Sequence, residues 1–211
     1  TSEAVAHAVA AEVAIAHGQL DMLRGNTPGI RSFVFLARFG GQQYLIRTIG
    51  AVLCRIRDSP SSSDLLSDTA AVLDALSAPS AVLDHAIASA IVSGAAAAAA
   101  RFGEPARSQA SSTLFFLRFV CPSIVSPELY GVFQRMAAPA ASARLRLFAR
   151  VLQCIANGTE FPRGQPGLES DSAQAALDTF IRERPPPAMA AVVATVSRSI
   201  SASSSLARSP S

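Results

Sequence analysis

Apolar residues recur at three- and four-residue spacing along almost the whole chain, and period-two alternation of branched residues is scarce. That pattern predicts an all-α fold. Ala, Val and Ile fill a first helix from about Ser2 to Gly18, which gives way to a loop around Asp21 to Asn26. A second helix starts with Thr27 as N-cap and Pro28 in the first turn, where a missing N–H leaves no bond unmade. It runs on through Phe33, Val34, Ala37, Tyr44, Ile49, Val52, Leu53 and Ile56, with a bend at Gly40 and Gly41.

Downstream, Ser59 to Asp64 reads as a surface loop, and Leu65 to Leu76 and Ala81 to Ala100 as helices parted at Pro79. Gly103 and Pro105 predict a loop over Arg101 to Gln109. A core helix follows from Ser112 to Cys121, then a break over Pro122 to Pro127. Pro139 opens a helix that lasts to about Asn157, Glu160 to Ser170 is a loop, and Ser172 to Arg184 is a shorter helix. A last helix is expected from Met189 to Val196. This divides the chain into one helical domain over 1–196 and a Ser-rich tail over 197–211, expected to be mobile.

With 211 residues, half of them hydrophobic and 16% charged, the chain has enough apolar surface for a substantial core. Its net charge of +3 is small, its basic residues are all Arg, and they are spread along the chain. No block tracks phosphates, which argues against nucleic acid as a partner. Cys54, Cys121 and Cys154 form no CxxC pair, and His7, His17 and His85 share no ligand spacing, so a reducing compartment and no metal are expected. The uncharged stretch from His85 to Ala100 is shorter than the roughly 20 residues of a membrane span, which predicts a buried helix. Thr1 to Ala16 shows no basic n-region, so no signal peptide is read and the chain looks like an excised domain.

Three features carry candidate chemistry. Arg118 stands in an otherwise apolar helix with no acid one turn away. A guanidinium there keeps its charge and must find acceptors, either main-chain carbonyls of a neighbouring loop or a remote carboxylate. In the Pro139 helix, Leu145, Phe148, Leu152 and Ile155 form a core stripe, while Arg146, Arg150, Gln153 and Asn157 line another face without an acid. Such a face suits an acidic or polar partner, or is simply solvated. Arg24 sits in the loop Leu23-Arg24-Gly25-Asn26, where Gly25 permits strained backbone angles. Taken alone it is an ordinary exposed loop arginine.

Together these features resemble one family. Phe116-Leu117-Arg118-Phe119-Val120-Cys121-Pro122-Ser123-Ile124-Val125-Ser126-Pro127 is similar to the signature of Ras GTPase-activating (RasGAP) domains, Phe-Leu-Arg followed by Pro-Ala-Ile and a second proline. Leu23-Arg24-Gly25-Asn26-Thr27 resembles the family's finger loop, and Gln43-Tyr44-Leu45 falls where it has a Tyr-Leu pair. Arg150 to Asn157, followed by Phe161, resembles its Lys-x-x-Gln-x-x-x-Asn helix.

The resemblance implies an irregular multi-helix domain that stimulates GTP hydrolysis by a Ras-family small GTPase in its GTP-bound form. Arg24 matches the arginine finger inserted in trans, and Arg118 matches the arginine that holds the finger loop. Leu117, Arg150, Gln153 and Asn157 match positions that line the groove for the GTPase. By the same resemblance the protein is not itself an enzyme and carries no cofactor; GTP and Mg belong to the partner. The site of action would be cytoplasmic, with any membrane recruitment left to regions outside this chain. A non-catalytic GTPase-binding scaffold and a plexin-like activator of a Rap-type GTPase remain open as alternatives. The sequence departs from the family at Pro28-Gly29, at Ser123, and after Phe161, where a Lys-Glu pair has no clear counterpart.

Overall fold

The computed structural model describes residues 2–19, 21–62, 64–165, 168, 170–183, 193–196 and 198–200. Every regular element among the described residues is helical, and they contain no strand. Helix α1 (Ser2–Ile15) is followed by the Arg24 loop, then by α2 (Pro28–Gly40), α3 (Gln42–Thr48) and α4 (Gly50–Asp58). The expected long second helix is thus three shorter ones. Gly41 and Ile49 keep near-helical angles at the joints, so the chain changes direction without a true loop.

Helices α5 (Leu65–Ser77) and α6 (His85–Phe102) are each capped by an aspartate. Asp64 accepts from the Leu66 amide at 3.2 Å and Asp84 from the Ala86 amide at 2.9 Å. By length and composition α6 could cross a membrane. Here it packs along α1, with Ile87, Ala88, Ala90, Ile91, Gly94, Ala95 and Ala98 buried. Small residues let the two helices approach closely: a Cβ on Gly94 would stand 2.8 Å from Val9 Cγ1.

The loop expected over Arg101 to Gln109 is reduced to Gly103, because Pro105 sits in the first turn of α7 (Glu104–Ser112), where proline is tolerated. Nor does Pro122 break the chain. The run continues from α7 through a π-helical segment (Thr113–Val120) into α8 (Cys121–Val125), with Pro122 inside it. In the π segment the bonds reach five residues back; the Cys121 amide donates to Phe116 O. The proline ring would otherwise press on the carbonyl four residues before it, and the widened turn accommodates it. A short 3-10 turn (Pro127–Tyr130) leads toward α9 (Pro139–Asn157), and α10 (Asp171–Glu183) follows, with further helical residues at 193–196 and 198–200.

The core is aromatic where the π segment meets α3. Phe115 and Phe119 lie 6.1 and 5.9 Å from the Tyr44 ring, and Phe116 packs edge-on to Phe115 at 5.2 Å. Leu114, Phe115, Leu145, Phe148, Leu152 and Ile155, expected inside on helical spacing, are all buried. Described residues near the boundary expected at Ser197 bond to the end of α5 and the segment after it. Thr195 donates to Leu76 O at 2.7 Å, Arg198 to Ala78 O at 3.0 Å, and Ser199 accepts from the Leu83 amide at 2.8 Å. The first two bonds satisfy carbonyls at the end of α5 that the helix itself cannot. The helix expected to begin at Met189 lies largely outside the described residues, as does the tail over 201–211.

Gly41 sets how closely α2 and α3 approach the motif segment, since a Cβ there would lie within 2.5 Å of Phe119 Cζ and closer still to Ala37 O. Its backbone angles are ordinary, so the constraint is steric. Gly41→Ala should therefore destabilise the fold by about 1–3 kcal/mol through overpacking. A lower urea midpoint at unchanged m-value would register it.

Candidate functional site

The Arg24 loop is a tight turn, closed by the Arg24 amide donating to Asp21 O at 3.2 Å. Its strained residue is Leu23, with φ +61°, and not Gly25, as the sequence suggests. A left-handed non-glycine residue costs about 1–3 kcal/mol and persists only where surrounding contacts over-determine it. Two contacts do so here. The Leu23 side chain is buried beside α6, and its carbonyl accepts from Arg118 Nε at 3.0 Å.

Arg118 also donates through Nη2 to Gly25 O at 2.9 Å, so one guanidinium holds the carbonyls on both sides of Arg24. This selects the carbonyl option over the remote carboxylate. Arg118 is half-buried and not mostly buried, because its outer edge reaches the loop surface. Burial, followed by the neighbouring Arg24 charge, lowers its pKa, yet a guanidinium stays charged in a protein. Arg24 itself and Asn26 are exposed.

Leu117, the residue before Arg118, lines a groove of about 560 Å³ between the motif run and α9. Arg146, Arg150, Gln153 and Asn157 form its other wall, with Gln153 half-buried and the rest exposed. The structure thus brings the motif segment and the basic, amide-bearing face of α9 onto one concavity. It also places Arg24 close enough to Arg118 for their charges to interact. Arg150 donates to Gln165 across the groove edge at 3.2 Å.

Helix α9 ends on Gly158, whose φ of +63° suits a left-handed cap and turns the chain back across the groove. Thr159, Glu160 and Pro162 therefore join the lining. Glu160 thereby adds an acidic residue to the edge of a face that the sequence presents as free of acids. Cys121, Pro122, Val125, Ala149 and Cys154 complete the groove. Of these, Cys121, Pro122 and Val125 lie within the motif and were findable there; Glu160 needed the turn at Gly158. The Cys121 thiol is buried and donates to Ala149 O at 3.6 Å, and burial pushes its pKa up to about 12. Ser123 is also buried, and its hydroxyl donates back to Val120 O at 2.7 Å, which satisfies the polar group the family position usually lacks.

Residues 98–157 match the family described as GTPase-activator protein for Ras-like GTPase. By that match this stretch is similar to RasGAP domains. Ras GTPase-activating protein gap-2 of Caenorhabditis elegans is 38% identical over 58 residues, covering 28% of this chain and 5% of that protein. Ras GTPase-activating protein raskol of Drosophila melanogaster is 42% identical over 50 residues, covering 24% and 3%. Human Ras GTPase-activating protein 1 is 33% identical over 63 residues, covering 30% and 6%. The aligned part is thus a small share of each relative. The RasGAP match contains Leu117, Arg118, Arg150, Gln153 and Asn157; Arg24 lies upstream of it.

Lysine at 118 would keep the charge but lose the planar fork that spans both carbonyls. A hydrogen bond from a charged group is worth about 1.5–3 kcal/mol. In Arg118→Lys the Arg24 amide should therefore exchange with solvent roughly 10- to 100-fold faster, with α9 amides unaffected, as read by hydrogen exchange.

Proposed function

We propose that this chain stimulates GTP hydrolysis by a Ras-family small GTPase in its GTP-bound form, and that Arg24 is the arginine supplied in trans. The observation that carries the reading is the grip of Arg118 on Leu23 O and Gly25 O, which leaves Arg24 exposed on a turn whose path is held from behind. A cation presented this way enters a phosphoryl-transfer site without reorganising as charge develops on the phosphate oxygens. The attacking water, the nucleotide and Mg belong to the partner, so this chain contributes a catalytic side chain and no turnover of its own. Leu117 and the Arg146, Arg150, Gln153 and Asn157 face form the binding groove, whose arginines suit an acidic partner surface.

Ras–GAP pairs are the known example that sets the scale for an arginine finger, about 10³ to 10⁵ in rate. Arg24→Ala should remove stimulated hydrolysis on that scale, about 4–7 kcal/mol of barrier, while the melting temperature stays within a degree or so. Single-turnover hydrolysis across a panel of Ras, Rap and R-Ras type GTPases tests this and ranks partners. Stimulation by Arg24→Ala equal to wild type would sink the finger assignment. Binding without stimulation by either protein would instead favour the scaffold.

Arg150→Ala and Asn157→Ala act on affinity. Each should weaken binding of the GTP-loaded partner by about tenfold, and wild-type binding should weaken as salt rises, since exposed charges are screened over roughly 8–10 Å near physiological ionic strength. Pull-downs over a salt series would measure both effects.

A further inference from the structure

The Arg24 loop stands on two feet, the first being the grip of Arg118 on the carbonyls that flank Arg24. The second is the start of α2. Thr27 occupies the N-cap position with suitable extended angles, φ −79° and ψ 164°, yet its side chain makes no cap bond. The hydroxyl oxygen is buried without a partner. The cap comes instead from α1: Glu12 Oε1 accepts from the Gly29 amide at 3.0 Å.

Space at this foot is tight as well. A Cβ on Gly29 would lie 2.7 Å from Ala8 O and 2.7 Å from Glu12 Cγ, so the backbones of α1 and α2 abut here. The first turn of α2 contains no acid of its own. A carboxylate set against the free amides at a helix start is favoured by the helix dipole. Arg24 and Asn26, just ahead of the second foot, are exposed.

We propose that Glu12 is a positioning residue for Arg24: it latches the start of α2, just beyond the loop, to α1, while Arg118 holds the carbonyls that flank Arg24. The proposal rests on the reading of Arg24 as the supplied arginine. Without the latch the first turn of α2 loosens and Thr27 shifts, so Arg24 keeps its charge and loses its aim. A misplacement of about 1 Å at a reacting group can lower a rate by about 10²-fold. The groove lies on α9 and the motif run, away from this foot, so binding of the partner should survive.

The test combines single-turnover hydrolysis by a GTP-loaded Ras-type GTPase, the partner's KM, and hydrogen exchange at the Gly29 amide. Glu12→Ala should lower kcat at least tenfold with KM within about twofold, and speed Gly29 exchange. Glu12→Gln, which retains a carbonyl acceptor, should keep most of both. Adding Thr27→Asn to Glu12→Ala supplies an acceptor from the N-cap itself and should recover kcat and Gly29 protection together. If Glu12→Ala fails to fold, Glu12→Gln and the double variant carry the comparison.

Wild-type kcat in a folded Glu12→Ala would overturn the latch, as would Gly29 protection restored by Thr27→Asn without recovery of kcat. A loss expressed mainly in KM would assign Glu12 to overall architecture and overturn it too. If wild type stimulates no GTPase of the panel, the parent reading falls and the catalytic claim for Glu12 falls with it. Gly29 exchange in Glu12→Ala then decides separately whether the brace exists.

Discussion

One guanidinium organises the site. Arg118 rises from a helix that is apolar on nearly every other side, and its planar donors end on the carbonyls of Leu23 and Gly25. Neither group would be stable alone. The half-buried cation needs acceptors, and the left-handed Leu23 needs contacts that outweigh its strain. Each supplies what the other lacks, which couples a loop near the N-terminus to a motif more than ninety residues away. Lysine would satisfy the charge and leave the geometry open.

The same stretch of chain faces the groove through the preceding residue. Leu117 and Arg118 are the half-buried pair on an otherwise buried π segment, and they point to two different jobs. Widening the helix here lets the run pass through Pro122, so the motif forms one continuous rod between the Arg24 loop and α9. The aromatic packing of Tyr44, Phe115 and Phe119 fixes that rod against α3, and Gly41 leaves room for the Phe119 ring. The groove and the loop therefore share one rigid support.

The departures from the family pattern have local physical reasons. Gly29 stands where the backbones of α1 and α2 meet and a methyl group would collide with Ala8 O. Ser123 turns its hydroxyl onto its own helix. Past Phe161, where the Lys-Glu pair has no counterpart in the sequence, Gln165 reaches Arg150, and Glu160 just before it lines the groove.

Local chemistry was legible along the chain. Helical spacing identified the core residues of α9 and the motif, and the lone charge of Arg118 called for acceptors. The spacing of Arg146, Arg150, Gln153 and Asn157 put them on one face, because helix geometry is set by near neighbours. Other features depended on partners far away in sequence. Pro105 and Pro122 read as breaks but lie within helices, since position in the turn and the widened segment decide whether proline is tolerated. Thr27 reads as the cap of α2, but Glu12 does the capping once α1 packs alongside. Gly25 reads as the strained residue, but Leu23 takes the left-handed angle because burial and Arg118 hold it there. Sequence by itself determined which segments are helical and which faces are apolar, through interactions that act within a turn or two. The tertiary structure alone decided which carbonyls Arg118 grips, which carboxylate caps α2 and where Glu160 sits, because hydrogen bonds across long separations exist only after the helices have packed.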